Sequence, residues 1–369
     1  VSGRPPRVLF VSSHSQPGGS ENVLADLLDA MPSATAAGVV ALQAGPLVDR
    51  LRTRSLPVTV VETTGSPAGL ARGAVRLAVR LRCARPDLVH ANGVKAALVS
   101  AVAARLAAPR RPVPVVWMKH DVSLDGVLGR ALARRCGAVA GVSREVLDGL
   151  GDAGRQLVVH PGVRIDAVDA AAAGRFRSEL DVPGPVVTVI GRLDPAKGHG
   201  ELLEVLPDVL SGAPSATALL VGPDDPQHPG VRAQLSARAA ELGVTGRVRL
   251  LGHRPSATVI GASDVVCVPT MPRPDGSGRE GFGLVAAEAL VLGVPVVGYD
   301  VGATGEVLGG CGALVPGGDR AGLAREIRGL LADPATRAAV GARGRERASG
   351  MTVERTAQQL LDLYTEVAR

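Results

Sequence analysis

The segment Arg279-Glu280-Gly281-Phe282-Gly283-Leu284-Val285-Ala286-Ala287-Glu288 sets two carboxylates eight positions apart, with a Gly-Phe-Gly turn between them. Gly281 and Gly283 permit backbone geometry and close approach that side chains block, and the apolar run from Leu284 reads as a helix whose first amides are free to bind an anion. If that helix reaches back to Glu280, the two glutamates lie a little over two turns apart and face one cleft. The plainer reading of the same residues is a helix start with a capping carboxylate. Residues 191–198, Gly-Arg-Leu-Asp-Pro-Ala-Lys-Gly, place Arg192 and Lys197 in a loop after the apolar run VVTVI. Arg can clasp phosphate oxygens with two parallel bonds and Lys supplies a point charge, so the pair suits a diphosphate; two solvated surface cations are the alternative. Near the start, Ser-Gln-Pro-Gly18-Gly19-Ser-Glu joins an apolar run to a helical segment and could offer backbone amides to phosphate, although it is not a GxGxxG fingerprint. His120 closes the very apolar stretch VPVVWMK, and His90 with Asn92 closes DLVHAN in what reads as an equivalent position. Polar groups at the carboxyl ends of parallel strands face ligands; a hydrogen-bonded structural histidine is the other reading of each.

Elements that could position these groups alternate along the chain. Seven short Val/Leu/Ile runs in the first half (RVLFVSS, GVVALQA, VTVVET, DLVHAN, VPVVWMK, AVAGVS, LVVHP) and six in the second (VVTVIGR, TALLVG, VRLLG, VVCVP, VPVVGY, GALVP) are separated by amphipathic segments such as 22–31 and 72–83. Such alternation predicts βαβ units around parallel sheets, and 369 residues exceed what one core usually supports. The expected division is residues 1–172 and 173–350, with a terminal helix over 351–369 opened by Thr352 as N-cap. Apolar residues make up 46% of the chain but aromatics only 2%, so the core must be built mainly of Ala, Val and Leu.

Charge is unevenly spread: residues 1–180 carry a net +9 and the remainder −3. The basic half suits an acidic partner such as a phosphorylated substrate or anionic lipid, but its scarcity of aromatics argues against nucleic acid. Arg72, Arg76 and Arg80 form a ladder at helical spacing, read either as a solvated helix face or as a contact with anionic membrane. Cys83, Cys136, Cys267 and Cys311 show no metal-ligand or disulfide spacing, and the apolar stretch 8–11 is too short for a signal peptide or membrane span. The expectation is a cytoplasmic protein, with attachment to the inner face of the membrane left open.

Taken together, the Glu-x7-Glu segment and the GRLxxxKG loop resemble the family 4 retaining glycosyltransferases, over nearly the whole chain. That resemblance implies the GT-B fold: α/β, with two facing Rossmann-like doubly wound domains and a cleft between them, the first taking the acceptor and the second the nucleotide-sugar donor. It also implies roles. Glu280 would contact the donor sugar, Glu288 the ribose, Arg192 and Lys197 the diphosphate, and the amides of Gly281, Phe282, Gly283 and Leu284 the phosphate and sugar. Gly18 and Gly19 would approach the diphosphate, and His120 the donor sugar near the reaction centre. The terminal helix would cross back onto the first domain. The chain departs from the family in having Pro161-Gly162-Val163-Arg164 where Asn-Gly-Val-Asp is frequent, and in the long Pro/Gly-rich loop 271–279, which includes Asp275 and Arg279.

The implied reaction moves a sugar from a UDP- or GDP-linked donor to a hydroxyl of a small natural product, lipid or glycan. It proceeds by front-face attack, with cations and amides stabilising the leaving diphosphate and domain closure bringing the acceptor in. No metal or other cofactor is expected, since no Asp-x-Asp pair occurs. A sugar-nucleotide epimerase, a pseudo-glycosyltransferase joining non-sugar units and a non-catalytic nucleotide-sugar binding protein remain as alternatives on the same fold. An NAD-dependent oxidoreductase is disfavoured, because no strand leads into GxGxxG with a downstream acid.

Overall fold

The computed structural model describes residues 4–16, 18–54, 56–164, 170–274 and 276–369. Asp275 therefore lies outside the described residues. The chain divides into two compact units, one formed by residues 1–164 with 351–369 and the other by 165–350. The first division falls eight residues before the position expected from sequence. The reason is packing: Ala173 and Phe176, beyond the described start of the following helix, sit in a core cluster with Val182, Val186, Leu219 and Val259 of the second unit.

Unit 1 runs β1 (Val8–Ser12), α1 (Gly19–Ala30), β2 (Ala36–Ala41), α2 (Pro46–Arg52), β3 (Val58–Val60), α3 (Pro67–Ala84), β4 (Leu88–Asn92), α4 (Val94–Ala107), β5 (Val115–Lys119), α5 (Gly126–Ala133), β6 (Ala138–Gly141), α6 (Arg144–Asp148) and β7 (Gln156–Val158). Its strands are all parallel and lie in the order β3-β2-β1-β4-β5-β6-β7. The order reverses between β1 and β4, which pair from Val8↔Leu88 to Ser12↔Asn92. Strands buried on both faces need continuous apolar runs, and the burial of every residue of β1, β4 and β5 is the physical counterpart of those runs in the sequence. Helix α3 begins five residues before the amphipathic segment read at 72–83, because Ser66 caps it through the Gly69 amide and Pro67 occupies its first turn.

Unit 2 runs α7 (Ala170–Glu179), β8 (Val186–Ile190), α8 (His199–Gly212), β9 (Thr217–Val221), α9 (Val231–Glu241), β10 (Val248–Leu251), α10 (Ser256–Gly261), β11 (Val265–Val268), α11 (Leu284–Leu292), β12 (Val296–Tyr299), α12 (Thr304–Leu308), β13 (Ala313–Val315), α13 (Arg320–Ala332) and α14 (Pro334–Ala348). Its parallel sheet has the order β10-β9-β8-β11-β12-β13, reversing between β8 and β11. Each sheet thus has the order reversal at which doubly wound sheets commonly open a crevice beyond the strands' carboxyl ends.

The last helix, α15 (Val353–Val367), belongs to unit 1. Thr352 caps it through the Arg355 amide, and Thr356 Oγ1 donates to the His160 carbonyl at 2.8 Å. Tyr364 is fully buried, and its hydroxyl lies 2.6 Å from His90 Nδ1, with the two rings edge to face. The core is built largely of Val, Leu and Ala, yet the few aromatics, Phe10, Trp117, Phe176, Phe282, Tyr299 and Tyr364, are all buried in it.

Removing the Tyr364 hydroxyl strands the fully enclosed His90 nitrogen. Tyr364→Phe should therefore cost unit 1 about 1–3 kcal/mol. Trp117, the only tryptophan, is buried in that unit and reports its unfolding by fluorescence in urea. An unchanged midpoint would show that the bond contributes nothing.

Candidate functional site

In unit 2 the loops leaving β8, β9 and β11 meet beyond the carboxyl ends of the strands. The loop after β8 turns through Asp194, whose carboxylate accepts from the Ala196 amide at 2.9 Å, and closes at Gly198 with φ +74. A Cβ on Gly198 would lie 1.9 Å from the Pro269 carbonyl oxygen, so only glycine lets this loop pack against the chain leaving β11. That contact brings Lys197 to Glu280: the ammonium donates to Oε2 at 2.8 Å. Glu280 is not helical. Helix α11 begins only at Leu284, with Gly283 as N-cap at φ +92, so the expected stacking of Glu280 and Glu288 on one helix does not occur. Glu280 is instead held through its backbone, its carbonyl accepting from the Ala303 amide at 2.9 Å. Gly281, Phe282 and Gly283 are buried and Leu284 half-buried, and the first amides of α11 lack intrahelical acceptors.

Glu288 lies on α11 beside α10. Its carboxyl interacts with Ser256, while Oε2 is buried and has no hydrogen-bond partner among the described residues. Burial raises its pKa above the ordinary carboxylate value, and the Ser256 contact only partly offsets that. An unpartnered carboxylate oxygen is costly to bury, and a ligand with hydroxyl donors would relieve it.

Arg192 is paired differently. Its guanidinium lies 3.4 Å from the buried carboxylate of Asp225, which also accepts from His228 Nδ1 at 3.1 Å. Burial pushes the Asp225 carboxyl up, but the Gln227 amide, His228 and Arg192 outweigh it and hold the group below its ordinary value. Arg273, from the loop 271–279, reaches Asp194 at 2.5 Å and lies 3.3 Å from His228 Nε2. Asp225, His228 and Arg273 were missed by sequence reasoning. The polar run Asp-Asp-Pro-Gln-His at the carboxyl end of β9 was the available signal. Asp194, Asp225 and His228 have ligand atoms close enough for a metal, but two guanidiniums already occupy that ground.

In unit 1, Gly18 is the N-cap of α1 in an extended conformation, and Gly19 is its first residue. A Cβ on Gly18 would fall 2.6 Å from Glu21 Oε2, so a carboxylate stands at this helix start; Ser20 Oγ donates to the same oxygen. His120 follows the last residue of β5 and is half-buried, whereas His90 lies two residues inside β4, is 1% exposed and pairs with Val116 in register. The two histidines are thus not equivalent: His90 is a core group bound to Tyr364 and stacked on Phe10. Burial pushes His120 down to about 4 against the pull of Asp121, and His90 down to about 3 with the neighbouring His120 adding to the shift. His120 Nε2 lies 2.6 Å from Asn92 Oδ1, and Asn92 Nδ2 donates to the Ser20 carbonyl at 3.2 Å. Buried Lys119 binds Asp125 at 2.9 Å and the Asp121 carbonyl at 2.5 Å, fixing the turn that carries His120.

Any anion that bound Lys197 would have to displace Glu280. Glu280→Gln should tighten binding of inorganic pyrophosphate about two- to fivefold in a calorimetric titration, the range expected for loss of a partly exposed ion pair. Equal or weaker binding would remove Glu280 as a competitor.

Residues 17–167 match the family model described as Glycosyltransferase Family 4, and residues 184–333 the one described as Glycosyl transferases group 1. The chain is similar to the D-inositol 3-phosphate glycosyltransferase of Corynebacterium efficiens, 35% identical over 226 residues that make up 58% of this chain and 52% of that protein. It is 33% identical over 213 residues to the phosphatidyl-myo-inositol mannosyltransferase of Mycobacterium leprae, with 56% of this chain and 52% of that protein covered. The chain thus spans about half the length of these curated relatives. The crystal structure of Anabaena HepE in complex with UDP and glucose matches with a TM-score of 0.84 at 27% identity, over 98% of this chain and 100% of that one.

Proposed function

We propose, on the premise that the two halves of this chain belong to the Glycosyltransferase Family 4 and Glycosyl transferases group 1 families and adopt the GT-B fold, that the protein transfers a sugar from a nucleoside diphosphate sugar to an acceptor hydroxyl with retention of configuration. The observation that carries this reading is the buried, unpartnered Oε2 of Glu288, on the helix that begins four residues after Glu280 and its Lys197 partner. A ribose supplies the missing hydroxyl donors. Arg192, Lys197 and the α11 amides then stabilise negative charge on the departing diphosphate, and Glu280 orients the sugar. The donor nucleoside is uridine or guanosine; the similar HepE structure was solved with UDP. For the acceptor we take the class printed in the relatives' names, an inositol phosphate, free or carried on a lipid, which suits the basic first half of the chain.

Thermal shifts with UDP, GDP, ADP and TDP test the donor site: saturating the matching nucleotide a hundredfold above its Kd should stabilise the protein by about 2.7 kcal/mol. Absence of a shift with all four would sink the reading. Binding without product from any labelled donor would instead favour a nucleotide-sugar binding protein. Glu288→Gln should shrink the shift while making the ligand-free protein more stable by about 1 kcal/mol at pH 8. The sign follows from the raised pKa: the wild type loses stability as pH climbs from the unfolded carboxyl value through the folded one, so the gap between the two proteins should close toward acid.

A lipid-linked acceptor places the enzyme at an anionic membrane, and α3 and α4 offer the contact. Arg72, Arg76 and Arg80 share the exposed face of α3 with Val75 and Val79, while the adjoining α4 exposes Val102 and Leu106; neither helix has an acidic residue. Basic and apolar groups without acids suit an anionic lipid surface. No helix of the described residues is long and apolar enough to cross a membrane. Cosedimentation should occur with phosphatidylglycerol vesicles and not with phosphatidylcholine, and should fail for Arg72→Glu/Arg76→Glu/Arg80→Glu. Indifference to lipid charge would discard this contact.

A further inference from the structure

Asn92 sits where three elements of unit 1 meet. It is the last residue of β4, its amide nitrogen donates to the Ser20 carbonyl at the start of α1, and its Oδ1 faces His120 Nε2 after β5. A carbonyl can only accept, so the Ser20 contact fixes which end of the Asn92 amide is nitrogen and which is oxygen. Oδ1 is then an obligate acceptor, and His120 must present an N–H to it. On the other side, the Tyr364 hydroxyl meets His90 Nδ1, and the His90 ring also interacts with the Asn92 side chain. A neutral phenol both donates and accepts, so this bond alone does not fix the His90 tautomer. Tyr364, His90, Asn92 and His120 thus lie in sequence from α15 to the end of β5.

We propose that Asn92 is a positioning residue that locks His120 in the neutral tautomer protonated at Nε2, leaving Nδ1 as an acceptor for a substrate hydroxyl. The catalytic part of this inference rests on the glycosyl-transfer reading above; the tautomer lock rests on geometry alone. His120 Nδ1 makes no hydrogen bond among the described residues, so the lone pair is available. The titratable group acting on the ring is Asp121, its chain neighbour, while His120 in turn acts on His90. Asp121 favours the imidazolium, which could only donate at Nδ1; burial opposes it, and the neutral amide of Asn92 adds no charge to tip the balance back. An aspartate at position 92 would offer the same oxygen but with a negative charge.

The test uses long-range proton–nitrogen NMR of the 15N-histidine-labelled full chain, with Asn92→Asp and Asn92→Ala as variants. Wild-type His120 should show a protonated-type Nε2 and an unprotonated-type Nδ1 at neutral pH. Asn92→Asp should keep the proton on Nε2 and raise the ring's titration midpoint by about one unit or more, while Asn92→Ala should yield a mixed tautomer. Turnover of the nucleotide sugar identified by the thermal shifts should fall about tenfold or more in Asn92→Ala through kcat rather than KM, because a misplaced proton removes the acceptor. A wild-type ring protonated at Nδ1, or a tautomer and midpoint unaltered in both variants, overturns the proposal. If the lock is present in the spectra while turnover ignores both Asn92 and His120, the positioning stands and the catalytic reading of His120 falls.

Discussion

The loops leaving β8, β9 and β11 touch through their backbones, and the rest of unit 2's chemistry depends on that closeness. Gly198 abuts the Pro269 carbonyl, and a Cβ on Gly222 would lie 1.7 Å from the Gly191 carbonyl oxygen, so neither contact survives a side chain. Parallel strands spread their carboxyl-end loops apart at an order reversal; here glycine contacts draw them back until a lysine from one loop meets a glutamate from another. Where a side chain had to stand in either place, the cations of residues 191–198 would be carried away from the start of α11.

Charge compensation follows from that closeness. Lys197 is balanced by Glu280, and Arg192 by Asp225, which is in turn shared with His228. Without those carboxylates the loops would hold unpaired cations of like sign against each other. The pairs keep the unit neutral locally, and any anion drawn to either cation would have to displace its partner. Glu288 is the exception, because its free oxygen has nothing to exchange.

Much of the architecture was legible because parallel strands buried on both faces need unbroken apolar runs, and all thirteen runs read in the sequence correspond to strands in the two sheets. Boundaries were less legible where a cap or proline, rather than an apolar period, sets them, as at Ser66-Pro67. The unit boundary was misplaced because α7 is poor in large apolar residues and its allegiance is decided by Phe176 packing on distant strands. Glu280, Glu288, Arg192 and Lys197 stood out because loops at strand ends seldom combine such types at such spacing. Asp225 and Arg273 did not, since they meet Arg192 and Asp194 across 33 and 79 positions of chain, and His228 is drawn in only through them. His120 and His90 looked alike at strand ends; only the register and the arrival of Tyr364 from α15 separate them.

That arrival has a consequence for biosynthesis. Unit 1 is discontinuous, its last segment being separated from the rest by the whole of unit 2. On the ribosome residues up to 164 are made before the second unit, and the Tyr364 partner of His90 arrives only after all of that unit has been made. At roughly 5–20 residues per second, that interval is on the order of ten to forty seconds. Unit 2 is contiguous and can complete itself first, so the half of the protein translated earlier is the half finished later.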